Sequence, residues 1–420
     1  MYKNKLLKIK IVLLTLIILF LTNFISCGSL TQLSNNPTNT PVQGKYDIPA
    51  PTTINSDIST VNSQISNSNK NYNIIEKEDQ DLLKADFIDD NKNFNEYLNY
   101  IKNFKYNTSV IPVDITERYI ITVYDYSQRT IPETNITIYD NNKNEIFTGK
   151  TYSNGQILFF PKTIRGLEQI TEFEVKAEKG DHENSKIFKR NSYDHIDITF
   201  AEKIEKPEKV NLDILFLIDS TGSMRDEINK IKNKIKDISY RIKSFLNKST
   251  INWGLVSYKD KGDDYVVKKF DFTKDIEIFQ QNLNDIKAEG GGDESESLNE
   301  ALYNSIENSS WTFDESIRLI FLIADAPPHL DYDESYVYTD GMIDAVKKGI
   351  KIYPIAASGL NPMGEYIFRQ MAQFTFSKFI FITYDKTSTF YNTYIGEFKE
   401  NNLDDLIVNV VKEELYNYLE

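Results

Sequence analysis

Between residues 210 and 420, uninterrupted apolar runs take turns with segments whose apolar residues recur every three or four positions. Ile214 to Ile218 is such a run, and behind it Ile228, Ile231, Ile235, Ile238, Ile242 and Phe245 lay a stripe along one side of a long amphipathic helix. Ile251–Tyr258 and Tyr265–Phe272 read as strands, and the short KDKGDD turn between them suits antiparallel pairing. Helix and strand then alternate through Leu298–Ile306, Leu319–Ala324, Gly341–Lys348, Ile350–Ala357 and Phe379–Thr383, the last expected as the final strand. A closing helix is predicted over roughly Asn402–Tyr418. The alternation predicts an α/β doubly wound, mostly parallel sheet with helices on both faces.

The first half of the chain is patterned differently. Residues 109–202 alternate polar and apolar positions in short stretches such as NITIYD, FEVKAE and HIDITF, which predicts a small all-β sandwich. The charged segment KIEKPEKV marks a linker at 203–210, so the α/β domain is expected to occupy 211–420. In 76–108, Leu82, Leu83, Phe87, Phe94, Tyr97, Leu98 and Ile101 are mixed with charge, which suggests one or two helices. Residues 28–75 are dominated by Ser, Thr, Asn, Gln and Pro; with little apolar surface to bury, they read as a disordered tether. Residues 1–27 carry Lys3, Lys5, Lys8 and Lys10, then an apolar stretch from Ile11 to Leu21, then Ser26 and Cys27, the order of an export signal.

Candidate chemistry clusters at strand ends. Asp219 to Met224, DSTGSM, follows the first apolar run and brings a carboxylate and hydroxyls into one turn, where Asp219, Thr221 and Ser223 can face a common hollow. Oxygen ligands of this kind suit a hard divalent cation. Gly290–Asp293 adds Asp293 after three glycines that permit close backbone approach, and Asp325 ends the strand in RLIFLIADAPP. Sheets of this type gather functional loops outside the carboxyl ends of their strands.

These three loops, DSTGSM, GGGDESES and ADAPPH, resemble the metal-ion-dependent adhesion site of von Willebrand factor A-type domains, over Val210 to Glu420. The resemblance implies Asp219, Thr221, Ser223, Asp293 and Asp325 as metal ligands for Mg²⁺, with Mn²⁺ or Ca²⁺ as alternatives. Ser220, Asp260, Ser295, Glu296 and His329 are candidates for an outer shell, although a surface-loop role for His329 and a solvated turn for Asp260 are the simpler expectations. Asp293 stands where integrin-like sites have Thr, so three carboxylates would exceed a dication by one charge and weaken attraction for an acidic ligand. The run from Ile121 to Phe160 resembles carboxypeptidase-regulatory or collagen-adhesin stalk modules. Cys27, the only cysteine, resembles the lipobox cysteine of bacterial lipoproteins, which implies acylation and a membrane anchor on the exported side of a bacterial cell envelope. A plain cleaved signal or a short membrane helix are the alternatives there, the apolar run being short of the ~20 residues a span needs.

Charge narrows the partners. Residues 211–420 hold 35 acidic against 23 basic residues, twelve of the chain's fourteen net negative charges, which speaks against nucleic acid as a partner. None of the three histidines falls in an HExxH spacing, and neither a GxSxG elbow nor a GxxxxGKS phosphate loop occurs. The expectation is therefore a membrane-anchored, non-enzymatic surface protein that binds a protein or glycan partner through a divalent cation. A metal-dependent hydrolase and a scaffold with a purely stabilising metal are the alternatives.

Overall fold

The computed structural model describes residues 83–104, 110–246, 249–357, 359–383 and 401–419; the expected export signal, Cys27 and the tether lie outside the described residues. The chain enters at β1 (Lys84–Ile88) and α1 (Phe94–Asn103). Seven strands follow: β2 (Tyr119–Tyr124), β3 (Asn135–Tyr139), β4 (Glu145–Lys150), β5 (Gln156–Phe159), β6 (Glu172–Lys179), β7 (His182–Lys189) and β8 (His195–Thr199). They make a three-stranded sheet, β5-β2-β8, and a four-stranded sheet, β4-β3-β6-β7. On β6, Phe173, Val175 and Ala177 point inward while Glu172, Glu174 and Lys176 face outward, the two-residue period of a half-buried strand.

The second half contributes β9 (Asn211–Asp219), α2 (Arg225–Phe245), β10 (Thr250–Tyr258), β11 (Val267–Thr273), α3 (Ile276–Asn284), α4 (Leu298–Ile306), β12 (Ser316–Ala324), α5 (Tyr338–Lys347), β13 (Ile350–Ala356), α6 (Pro362–Phe374), β14 (Phe379–Thr383), β15 (Asn401–Asn402) and α7 (Leu403–Leu419). The main sheet runs β11-β10-β9-β12-β13-β14-β1-β15. Its five central strands, β10, β9, β12, β13 and β14, are mutually parallel, and β11 and β1 pair antiparallel with their neighbours. Leu212, Ile214, Phe216 and Ile218 of β9 pack on the side of α2, α3 and α7, whereas Leu215 and Leu217 pack on the side of α4, α5 and α6. A strand covered on both faces has no polar side to show, which is why its sequence is a run rather than an alternation. Among the described residues, no helix is long and apolar enough to cross a membrane.

Two expectations are corrected. The 76–108 segment is not wholly helical: β1 inserts beside β14, with Lys84 opposite Thr383 and Ile88 opposite Phe379. Leu83 and Ala85 join one core and Ile88 the other, so the partner strand, not local periodicity, decides the conformation. Accordingly Phe379–Thr383 is not the last strand of the sheet, since β1 and β15 lie beyond it. Asp90, just after β1, accepts from Arg369 of α6 at 2.7 and 2.9 Å in a buried pair that pins this added strand.

The smaller sheets are tied to the main one through polar groups. Buried Arg318 on β12 donates to both carboxylate oxygens of Glu133, to one of them at 3.2 Å, and to Lys348 O at 2.8 Å. Glu414 on α7 accepts from Lys351 Nζ at 2.7 Å, from Tyr353 OH at 2.6 Å and from Ser153 of the small module.

Candidate metal centre

At β9 the topology switches: the chain leaves toward β10 on one side and returns as β12 on the other, which opens a crevice at the carboxyl ends of β9 and β12. Asp219 ends β9 inside that crevice and is fully buried. Thr221 donates to Asp219 Oδ1 from its amide at 2.9 Å and from its hydroxyl at 2.8 Å. The Thr221 and Ser223 hydroxyls are 3.3 Å apart, and Ser223 hydrogen-bonds to Asp325 at the head of the neighbouring strand. Asp219, Thr221, Ser223 and Asp325 thus form one continuous set.

The second loop is stapled to the first through backbone. Gly222 N donates to Gly290 O at 3.1 Å and Glu289 N to Ser220 O at 3.2 Å. Gly291 has φ +83°, and a Cβ there would meet Thr221 Cβ at 3.2 Å and Glu296 Oε1 at 3.3 Å, so only glycine allows this approach. Asp263, from the turn after β10, accepts from Gly291 N at 3.0 Å and fixes the glycine loop from outside.

Glu296 is carried inward. Its amide donates to Pro327 O and its carbonyl accepts from His329 N, both at 3.0 Å, a short bridge between the second and third loops. Burial pushes the Glu296 carboxyl up to about 9, with Asp219, Asp260, Asp263 and Asp325 adding repulsion. Burial likewise pushes Asp219 up to about 7, reinforced by Asp325 and Asp263. Asp325 is raised by burial, with Glu227 adding to it and Ser223 opposing. Asp219 Oδ2 and Glu296 Oε2 are buried without any hydrogen-bond donor. The charges acting most strongly on Asp219 and Glu296 are all negative. An all-oxygen set with two unserved carboxylate atoms fits a hard divalent cation.

The sequence-predicted ligands do not all share one environment. The Asp293 side chain is 63% exposed and approaches His329 Nε2 at 3.7 Å. Gly290 and Gly291, both at positive φ, turn the loop outward at Asp293, and the bridge to Pro327 brings Glu296 back inward. The buried carboxylate of the second loop is Glu296, foreseen only as an outer-shell residue. His329 is not a surface residue but 3% exposed, and Asp260 is not a solvated turn: it is buried and accepts from Ser297 Oγ at 3.0 Å and Tyr332 OH at 2.9 Å. Ser220 faces away from the cluster, bonding to Tyr258 O at 2.8 Å and Tyr265 OH at 2.9 Å. Ser295 is half-buried beside Glu296. Asp263 and Tyr332 escaped the sequence reading. For Asp263 the acidic KDKGDD turn was a weak signal, whereas nothing local marks Tyr332.

Residues 213–350 match the family model of the von Willebrand factor A domain, a span that includes all three loops. Over 150 residues the chain is 34% identical to the alpha-protein kinase vwkA of Dictyostelium discoideum, covering 34% of this chain and 22% of that protein. The chain thus spans about a fifth of the length of the curated relative it matches. Among solved structures it is similar to proximal thread matrix protein 1 from the mussel byssus, with 16% identity, a TM-score of 0.29 and 39% of each chain covered.

Proposed function

We propose that the chain, which carries a von Willebrand factor A-type domain, is a surface binding protein whose partner engages a divalent cation held by Asp219, Thr221, Ser223, Asp325 and Glu296. Domains of this type fit a generic adhesion or protein-interaction role. The observation that carries the finer reading is the pair of buried, unserved oxygens, Asp219 Oδ2 and Glu296 Oε2, at a topological switch point. A bound cation, Mg²⁺ first among candidates, supplies the missing charge and an open coordination position for a partner's oxygen. Asp219, Asp325 and Glu296 together carry one negative charge more than a dication neutralises. Neutral oxygens, from a protein carbonyl or a glycan hydroxyl, therefore suit the site better than a carboxylate. Residues 1–27 extend the proposal to a lipid anchor at Cys27 in a bacterial envelope.

Calorimetric titration of the full chain with Mg²⁺ tests the ligand set: Asp219→Ala should abolish uptake, and an undiminished isotherm in that variant would sink the assignment. Peptide and glycan arrays probed with and without EDTA test the role. Capture lost on chelation at a nearly unchanged melting temperature supports cation-mediated binding. Capture that survives chelation while the melting temperature collapses points instead to a stabilising metal.

A further inference from the structure

We infer that Asp260, Asp293 and His329 form a second cation site, beside the Asp219 cluster and chemically unlike it, that takes a borderline cation of the Zn²⁺ class. The three residues come from different loops, after β10, after the glycine turn and after β12, yet one ligand atom from each lies within 4.8 Å of the others. His329 Nε2 is 3.3 Å from Asp260 Oδ1 and 3.7 Å from Asp293 Oδ1. Ligands around tetrahedral zinc, at about 2.0–2.2 Å from the metal, are themselves about 3.3–3.6 Å apart.

The imidazole supplies the independent sign. His329 is almost wholly buried, and its Nε2 has no hydrogen-bond partner although it points between two carboxylates. Its other nitrogen, Nδ1, is 2.8 Å from Asp331 Oδ1. A carboxylate only accepts, so Nδ1 carries the proton there, which leaves Nε2 as the nitrogen that can offer a lone pair to a cation lying between Asp260 and Asp293. Carboxylate, histidine and metal in line is the usual way a zinc-binding imidazole is oriented. Asp260 is held in turn by Ser297 and by Tyr332, whose ring stacks on His329 at 3.8 Å between centroids and 11° between planes.

Donor type separates the two sites. One ring nitrogen and two carboxylates favour a borderline ion, whereas the Asp219 set offers only oxygen. A cation here would fasten exposed Asp293, and with it the glycine loop that packs on Thr221, to the rim.

The test uses the full chain with Zn²⁺ as probe, in excess Mg²⁺, read by calorimetry. Asp293 and Asp331 are both exposed, so Asp293→Asn and Asp331→Asn should leave the fold intact. Each is expected to weaken Zn²⁺ binding by roughly tenfold or more. Asp219→Asn, in contrast, should keep Zn²⁺ while losing Mg²⁺. Zn²⁺ affinity unchanged in both exposed variants overturns the inference. So does Zn²⁺ lost in Asp219→Asn but kept in Asp293→Asn, which would put the ion in the first cluster. Mg²⁺ uptake bears only on the proposed function, so the two readings can fail separately.

Discussion

Replacing Asp219 by Asn should stabilise the cation-free protein while destroying its main cation site. The Asp219 carboxyl is moved by burial, and then by Asp325, from its ordinary 3.8 up to about 7. At about 1.4 kcal/mol per unit, ionising it in the fold costs at most on the order of 4 kcal/mol more than in the unfolded chain. The sign follows from the raised value. The favourable contribution is fully present below the unfolded pKa near 4 and is lost as pH rises through about 7, so the EDTA-treated protein should lose stability between about pH 4 and about pH 7. Asn removes the charge and can keep its Oδ1 as acceptor for Thr221. Its amide nitrogen then takes the place of the donor-less Oδ2, in reach of the surrounding acids. Urea unfolding in EDTA at about pH 8 should therefore find Asp219→Asn more stable than the parent, by up to a few kcal/mol, with a flatter pH profile. In Mg²⁺ at about a hundred times its dissociation constant, the parent should gain about 2.7 kcal/mol and the variant nothing. A variant weaker than the parent in EDTA at that pH, or one stabilised by Mg²⁺ as much as the parent, refutes the argument from uncompensated charge.

Three further outcomes are expected. Glu296→Gln removes the charge in excess of a dication, and biosensor titration with an acidic peptide in Mg²⁺ should show affinity higher by roughly five- to tenfold, about 1 kcal/mol for one partly screened charge; equal or lower affinity would count against Glu296 as the third carboxylate. Arg318→Met strands Glu133 in a buried site and should cost about 3–5 kcal/mol in urea unfolding, much of it recovered when Glu133→Gln is added; a loss below about 1 kcal/mol would show that the pair does not hold the small module to β12. Cys27→Ser should move the protein from the membrane fraction to the soluble one, and a variant that stays membrane-bound contradicts acylation at Cys27.

Much of the framework was legible in one dimension. The run Ile214–Ile218 marked a strand buried on both faces, the isoleucine stripe from Ile228 to Ile242 marked α2, and the KDKGDD turn marked the antiparallel edge. In each case burial leaves a direct trace in residue spacing. The same holds for Asp219, Thr221 and Ser223, whose relation is a local turn, and for Asp325, placed by the strand before it.

What escaped depended on partners far away in the chain. β1 is a strand because β14 offers it an edge, a fact absent from residues 84–88 themselves. Of the three acids in GGGDESES, Glu296 rather than Asp293 or Glu294 turns inward because Pro327 and His329 bridge to its backbone while the glycines fling Asp293 out. His329 is buried, and so available as a ligand, only because Tyr332 stacks on it and Asp260 arrives from the end of β10. The sequence by itself determined which segments are apolar enough to form the sheet and which acids stand at its strand ends, since burial and turn chemistry are local. Only the tertiary structure decided which of those acids meet, because that depends on long-range backbone hydrogen bonds whose two ends are separated in the chain.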